Sequence, residues 1–192
     1  MIFLIADTHF YHDNIHKYCK RHSPNIDEYT NGFIYYINKF LKKDDIILHL
    51  GDLACGPRKS VEGLKDLMAK FKCEKHFIRG NHDYWLTNED LYKIGFKSVR
   101  NYIRIDDVLF CHYPLDKPMD AGYRSQSEIW DLFYDNPEIK VIYHGHIHNN
   151  RLLRNDGLIR HNCSIDKFLK GYNICTLQAS LENRLIQALR GI

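Results

Sequence analysis

Three consecutive side chains, Asn81, His82 and Asp83, follow the short apolar run His76-Phe77-Ile78 and the chain-breaking Gly80. An amide, an imidazole and a carboxylate can each bind a metal, move a proton or orient a neighbour. Gly, Asn and Asp also tolerate positive φ, so a plain turn has the same local appearance. Other strand ends tip the balance. Asp7 and His9 follow the apolar run Met1 to Ala6, and Asp52 follows Ile46 to Leu50 and Gly51. His112 follows Val108 to Cys111, and His144-Gly-His-Ile-His148 follows Ile139 to Tyr143. If extended backbone persists past Ala6, Asp7 and His9 project to the same side. His49 lies inside its apolar run and reads as a core histidine.

Strands that present such groups at their carboxyl ends need helices between them. Met1 to Ala6 has the continuous apolar character of a central strand covered on both faces. The spacing of Phe33, Ile34, Ile37, Phe40 and Leu41 predicts a helix over 32–43, and Val61, Leu64, Leu67, Met68 and Phe71 predict another over 60–71. Thr87-x-x-Asp90 and Ser125-x-x-Glu128 have capping-box spacing and open helices to Ile94 and to about Tyr134. Further strands are expected at Phe77 to Arg79, Val99 to Ile105, Val108 to Cys111 and Ile139 to Tyr143. A hairpin is expected from Leu152-Leu153 to Leu158–Asn162 through Asn155-Asp-Gly157, and a last helix from Thr176 to Leu189. Residues 10–28 and 113–124 read as loops, the first solvated with at most a short helical piece, the second long enough to wall a site. The alternation argues for an α/β sandwich with ligands outside the strands' carboxyl ends.

The 192 residues suffice for a single domain, 1–192, with a sizeable core. A net charge of +3, from 27 basic and 24 acidic residues without a basic run, does not by itself announce a nucleic-acid partner. No apolar stretch approaches the ~20 residues of a membrane span, and Met1 to Ala6 lacks a basic leader, so a soluble, cytoplasmic protein without a membrane partner is expected. The six cysteines show no C-x-x-C spacing and read as buried free thiols, whereas 12 histidines are the compositional sign of metal or acid–base chemistry.

Asp7, His9, Asp52, Asn81, His82, His112, His146 and His148 supply carboxylate, imidazole and amide donors without thiolate. That set suits Mn, Fe, Ni, Zn or Co rather than a structural zinc. These are too many ligands for one ion with an open position, so two ions are expected, with a carboxylate such as Asp52 bridging a pair ~3.5–4 Å apart. After Asp7, Asp52 and a hydroxide are counted, two divalent ions leave the site cationic. This points to a phosphate-bearing substrate and a bound water whose pKa falls toward ~7.

The ordered blocks Asp7-x-His9, Gly51-Asp52, Gly80-Asn-His-Asp83, His112 and Gly145-His-x-His148 resemble the calcineurin-like metallophosphoesterases, and Asp7 to Ile15 resembles their compact bacterial and phage branch. The resemblance implies a four-layer α/β sandwich with two mixed β-sheets flanked by helices. It implies two metals, manganese foremost, one held by Asp7, His9, Asp52 and His148 and the other by Asp52, Asn81, His112 and His146. A metal-bridging hydroxide would attack a phosphodiester or phosphomonoester, His82 would act as general acid, and Asp83 would orient the His82 ring. Arg79, His12 and Arg21 are candidates to touch the phosphate, and His144, at a position the motif does not fix, is either structural or a supporting partner of the ligands. A small phosphoester or nucleotide is the expected substrate. A metal-dependent nuclease and a non-catalytic protein-binding scaffold are the alternatives; the sequence leaves the oligomeric state open.

Overall fold

A computed structural model describes residues 1–21, 23–116, 124–148, 156–168 and 177–191. In chain order the elements are β1 (Ile2–Ile5), α1 (Ile15–Cys19), α2 (Ile26–Ile37), β2 (Ile46–His49), α3 (Val61–Met68), β3 (Glu74–Ile78), a 3-10 turn (Asn81–Asp83), α4 (Asn88–Ile94), β4 (Val99–Arg100), β5 (Tyr102–Ile105), β6 (Val108–Cys111), α5 (Arg124–Asp135), β7 (Val141–His144), β8 (Ile159–Asn162), α6 (Ile165–Phe168) and α7 (Ala179–Arg190). The strands form two four-stranded sheets, ordered β1-β2-β3-β4 and β5-β6-β7-β8. All ladders of the first sheet are parallel. In the second, β5 and β6 are antiparallel and the remaining ladders parallel, so the mixing of directions expected for both sheets is confined to this one among the described strands.

Strand alternation divides the apolar residues into three layers of core. Phe3, Ile5, Ile47 and Phe77 face helices α2, α3 and α4. Ile2, Leu4, Ile46, Leu48 and Ile78 point the other way, against Ile103, Ile105, Phe110 and Tyr143 of the second sheet, where α7 adds Leu181, Leu185 and Leu189. The far face of the second sheet carries Leu109, Cys111 and Ile142, covered by Ile129 of α5. Helix–sheet–sheet–helix is therefore the order of the layers, in agreement with the expected four-layer sandwich.

Several local expectations are corrected. Among the described strands β1 stands at the end of the first sheet, and every residue of it is buried, as expected for a strand covered on both faces. Past its end, Ala6 bridges to Ser164: Ala6 N–H donates to the Cys163 carbonyl at 2.9 Å and Ile165 N–H to the Ala6 carbonyl at 3.0 Å, joining the two sheets at one corner. Helix α2 starts at Ile26 because Asn25 caps it, its side chain accepting from Glu28 N–H, and it stops at Ile37, leaving Phe40 half exposed. Asn25-x-x-Glu28 was the overlooked signal. The apolar run 99–105 is two strands, not one, because Asn101 carries the chain from the first sheet to the second. The Thr87–Asp90 capping box forms as expected. Ser125 lies inside α5 rather than capping it. Leu152-Leu153 of the expected hairpin, and most of the 113–124 loop, fall outside the described residues.

The described cysteines are free thiols, buried except for Cys55; Cys175 lies outside the described residues. No helix among the described residues is long and apolar enough to cross a membrane.

Phe110 is fully buried between the sheets, its ring stacked 5.1 Å from Tyr143. Phe110→Ala is expected to destabilise the fold by about 3–5 kcal/mol in urea unfolding, against under ~0.5 kcal/mol for Lys43→Ala on the exposed surface.

Candidate metal centre

Each ligand candidate leaves the carboxyl end of a strand: Asp7 and His9 after β1, Asp52 after β2, Asn81 and His82 after β3, His112 after β6, and His146 and His148 after β7. The extended path assumed for Asp7 and His9 is not taken. Asp7 (φ 58°), His9 (φ 46°), Asp52 (φ 59°) and His146 (φ 67°) all adopt left-handed backbone, which turns the chain sharply and brings side chains from separate strands to one spot. Such conformations are costly outside glycine and concentrate where the surroundings enforce a functional geometry. Two glycines make the close approach possible. A Cβ on Gly80 would stand 2.6 Å from the Asp52 backbone nitrogen, and one on Gly51 (φ 91°) would stand 2.5 Å from that of Gly80.

Asp52 occupies the middle of the cluster. Its Oδ2 lies 3.5 Å from His9 Nε2 and 3.3 Å from His112 Nε2. Donor atoms of Asp7, His9 and His148 lie within 4.8 Å of one another, as do those of Asp7, Asp52 and His112. Asn81 Oδ1 is 3.1 Å from His112 Nε2 and 3.0 Å from His146 Nδ1. The structure thus brings the seven candidate ligands to one place; the groups Asp7–His9–His148 and Asp7–Asp52–His112 overlap at Asp7, and Asp52 stands between the His9 and His112 rings. The donor chemistry fits metal: among the described residues, neither ring nitrogen of the buried His9, nor Asp7 Oδ2, has a hydrogen-bond partner. Leaving buried polar atoms in that condition is expensive unless an ion takes them up.

Charge balance distinguishes the histidines. Burial disfavours charge on His112, but Asp52 beside it outweighs burial and raises its pKa to about 9. Burial likewise opposes charge on His148, and the hydrogen bond to Asp166 together with Asp7 raises it to about 10. His146 lacks such a carboxylate contact, and burial lowers it to about 3. Asp52, despite its burial, is held well below the usual carboxylate range by His112.

Backbone and outer side chains aim these groups. His112 Nδ1–H donates to the Leu50 carbonyl at 2.7 Å, which turns Nε2 toward Asp52. His49 is the core histidine expected. Gly51 N–H donates to its Nδ1 at 3.2 Å, so its Nε2 carries the proton and donates to Thr8 Oγ1 at 3.0 Å. Thr8 in turn donates to the Leu53 carbonyl at 2.8 Å, tying the Asp7–His9 turn to the Asp52 turn. His144 is buried and structural, its Nδ1–H donating to the Gly145 carbonyl at 2.7 Å.

Three expected roles are corrected. Asp83 does not aim the His82 ring. Its carboxylate accepts from the backbone N–H of Asp52 (2.8 Å), Leu53 (2.9 Å) and Gly80 (2.7 Å), while His82 Nδ1 lies 3.9 Å from Cys55 Sγ. Burial and the neighbouring Asp52 charge raise Asp83 to about 7 against the pull of those amides. Arg79 is committed to the carbonyls of Asp83 and Leu86 and to Asn88 Oδ1, so it closes the turn after β3 and does not reach for phosphate. Arg21 is buried, not on a solvated loop; it donates to the Thr8 and Asp7 carbonyls (2.9 and 2.8 Å) and grips Asp166 through Nε and Nη2 (2.7 and 2.9 Å). His12 does reach the site, its ring 5.6 Å from that of His9. His82 is also there: its backbone N–H donates to Asp52 Oδ1 at 2.8 Å, and its ring lies 5.2 Å from that of His9.

Asp166 is the residue that sequence reasoning missed. It accepts from His148 Nδ1 at 2.7 Å and from Arg21, so one buried carboxylate fixes both the His148 ring and the turn bearing Asp7. Burial would raise its pKa, but the His148 and Arg21 hydrogen bonds bring it to about 2. No spacing in the sequence marks it, since it stands in the short helix α6 after an ordinary strand.

Residues 1–163 match the description "Calcineurin-like phosphoesterase superfamily domain". The uncharacterized protein MJ1445 of Methanocaldococcus jannaschii is 32% identical over 151 residues, 79% of this chain and 71% of that protein. Among solved structures, a protein of unknown function, AQ665 from Aquifex aeolicus, superposes with a TM-score of 0.66 at 25% identity, covering 86% of this chain and 90% of that one. An archaeal phosphodiesterase reaches a TM-score of 0.46 at 15% identity, covering 88% of this chain and 87% of that one.

Removing Asp166 should be felt at the centre and in the fold. Asp166→Ala is expected to lower metal affinity ~10–100-fold and, by stranding buried Arg21, to cost about 3–5 kcal/mol in urea unfolding; unchanged metal titration would refute the aiming role. Metal loading should also release protons, because His112 and His148 are protonated in the metal-free protein at neutral pH and must be neutral to ligate. Affinity should therefore climb as pH rises through about 9, the value of His112, and on toward about 10, that of His148. Calorimetry in buffers of different ionisation enthalpy measures this, and an exchange of no protons would contradict it.

Proposed function

Because the chain belongs to the calcineurin-like phosphoesterase superfamily, we propose that this centre is a binuclear metal site that hydrolyses phosphoesters, with His82 delivering a proton to the departing oxygen. The observation that carries the reading is the position of Asp52, whose Oδ2 lies within 3.5 Å of imidazoles from two different ligand sets. Asp7, His9, Asp52 and His148 would hold one ion, and Asp52, Asn81, His112 and His146 the other. Mn is the first choice for this oxygen- and imidazole-rich set, with Fe, Ni, Zn and Co as alternatives. Such ions, when bound, supply Lewis-acid polarisation of phosphoryl oxygens and bring the pKa of water toward ~7.

The chain's own residues do the rest. The turn that carries Asp52 is immobilised by the three amides converging on Asp83, so a site residue cannot drift without breaking buried hydrogen bonds. His82 lines the open cavity beside His9 and His12 while its backbone is tethered to Asp52, which fixes the origin of its ring without burying it. A proton held on that ring can pass to an oxygen departing into the cavity. General acid help matters most for poor leaving groups, so alkyl and nucleotide diesters should gain more from His82 than activated aryl esters.

His82→Ala is expected to retain metal while losing ~10²–10⁴-fold of turnover on esters with poor leaving groups. Loss of metal in that variant would make His82 a ligand instead. Asp52→Asn should weaken both ions together by metal analysis; depletion of a single ion would remove Asp52 from the shared position. Stripping metal with a chelator should abolish hydrolysis, and Mn should restore it; hydrolysis that survives chelation would defeat the reading. A panel of cyclic nucleotides, diesters, monoesters and oligonucleotides tested with the loaded protein separates a small-ester hydrolase from a nuclease, and inactivity on all of them with metal bound would favour a scaffold.

A further inference from the structure

The cavity beside the centre has a volume of about 490 Å³, within the range of small-ligand sites. Its described lining contains no lysine or arginine. Beyond the candidate metal ligands, the described wall is built from His12, Ile15, Tyr18, Cys19, His82 and Ile147.

Rings follow one another outward from the ligands. The His148 and His9 centroids are 4.9 Å apart, His9 and His12 are 5.6 Å apart, and His12 and Tyr18 are 6.2 Å apart. The file ends in Tyr18, which is 72% exposed although it lies on α1 beside the buried Ile15 and Cys19. Tyr18 belongs to none of the three core layers, so packing does not account for an aromatic ring at the lip. Flat rings flanked by isoleucines, rising from the ligand floor, match a ligand that is anionic at one end and planar at the other.

We propose that Tyr18, with the His12 ring tilted 60° beside it, forms a stacking platform for a nucleobase, so that the substrates of the centre are phosphoesters of nucleosides. The inference rests on the phosphoesterase reading above and narrows it. The phosphoryl group sits on the ligand floor, and the base lies along the His12–Tyr18 wall. Base stacking on an aromatic side chain tolerates every base, because each has a π-face. The platform therefore selects nucleoside esters over sugar or glycerol esters while discriminating weakly among bases.

The test compares AMP, glycerol phosphate and inorganic phosphate binding to the Mn-loaded protein by calorimetry. The wild-type protein is expected to bind AMP at least about tenfold more tightly than glycerol phosphate. In Tyr18→Ala that ratio should collapse toward one, whereas Tyr18→Phe, which keeps the ring and loses only the hydroxyl, should preserve it. Inorganic phosphate binding with no preference for AMP, or a preference that survives Tyr18→Ala, overturns the platform and leaves the phosphoesterase reading intact. Failure of all three ligands to bind the loaded protein overturns both.

Discussion

Everything at the active end of the sandwich depends on a buried carboxylate accepting three backbone amides. Asp83 draws the N–H groups of Asp52, Leu53 and Gly80 onto its two oxygens, and so locks the turn after β2 against the turn after β3. Without it the left-handed Asp52 would be a strained residue with nothing to enforce the strain. With it, Asp52 is held where imidazoles from β1 and β6 converge. Burying Asp83 is unfavourable in itself, as its raised pKa records, and that cost is offset by the hydrogen bonds it organises.

A second clamp acts on the opposite side. Arg21 and Asp166 form a fully buried pair that binds the Asp7 turn through main-chain carbonyls and the His148 ring through Nδ1. Replacing such a pair with apolar residues often leaves a fold no less stable, so its contribution lies in specifying geometry as much as in stability. The division of labour is clear: Asp83 serves the interior of the first sheet, and Asp166 serves the corner where the sheets meet.

The convergence of the candidate ligands was legible in the sequence because metal chemistry restricts residue type and because strand ends are visible as apolar runs that stop abruptly. Asp52, Asn81, His112, His146 and the rest converge as that logic requires. The clamps were not legible. Asp83 looked like a partner for its neighbour His82, but a 3-10 turn directs it back toward the chain that precedes it, and the identity of its partners depends on how β2 and β3 pair. Arg21 looked like a loop cation, since nothing local announces that Asp166, far along the chain, will bury it. Arg79 similarly found carbonyls a few residues on. Among the elements, periodicity located the helices, but the split of the run 99–105 between two sheets is a fact of tertiary packing with no period of its own.

The corner bridge between Ala6 and Ser164 has a consequence for how the fold is held shut. The candidate ligands flank that seam, Asp7 from beyond β1 and His148 from beyond β7, so an ion bound between them would close most of the chain into a loop. A crosslink spanning so long a segment restricts the unfolded chain far more than the folded one, as a disulfide does. Under that reading free metal concentration would act as a thermostat on the fold: scarcity would loosen the seam and the ligand geometry together, and abundance would tighten both by mass action.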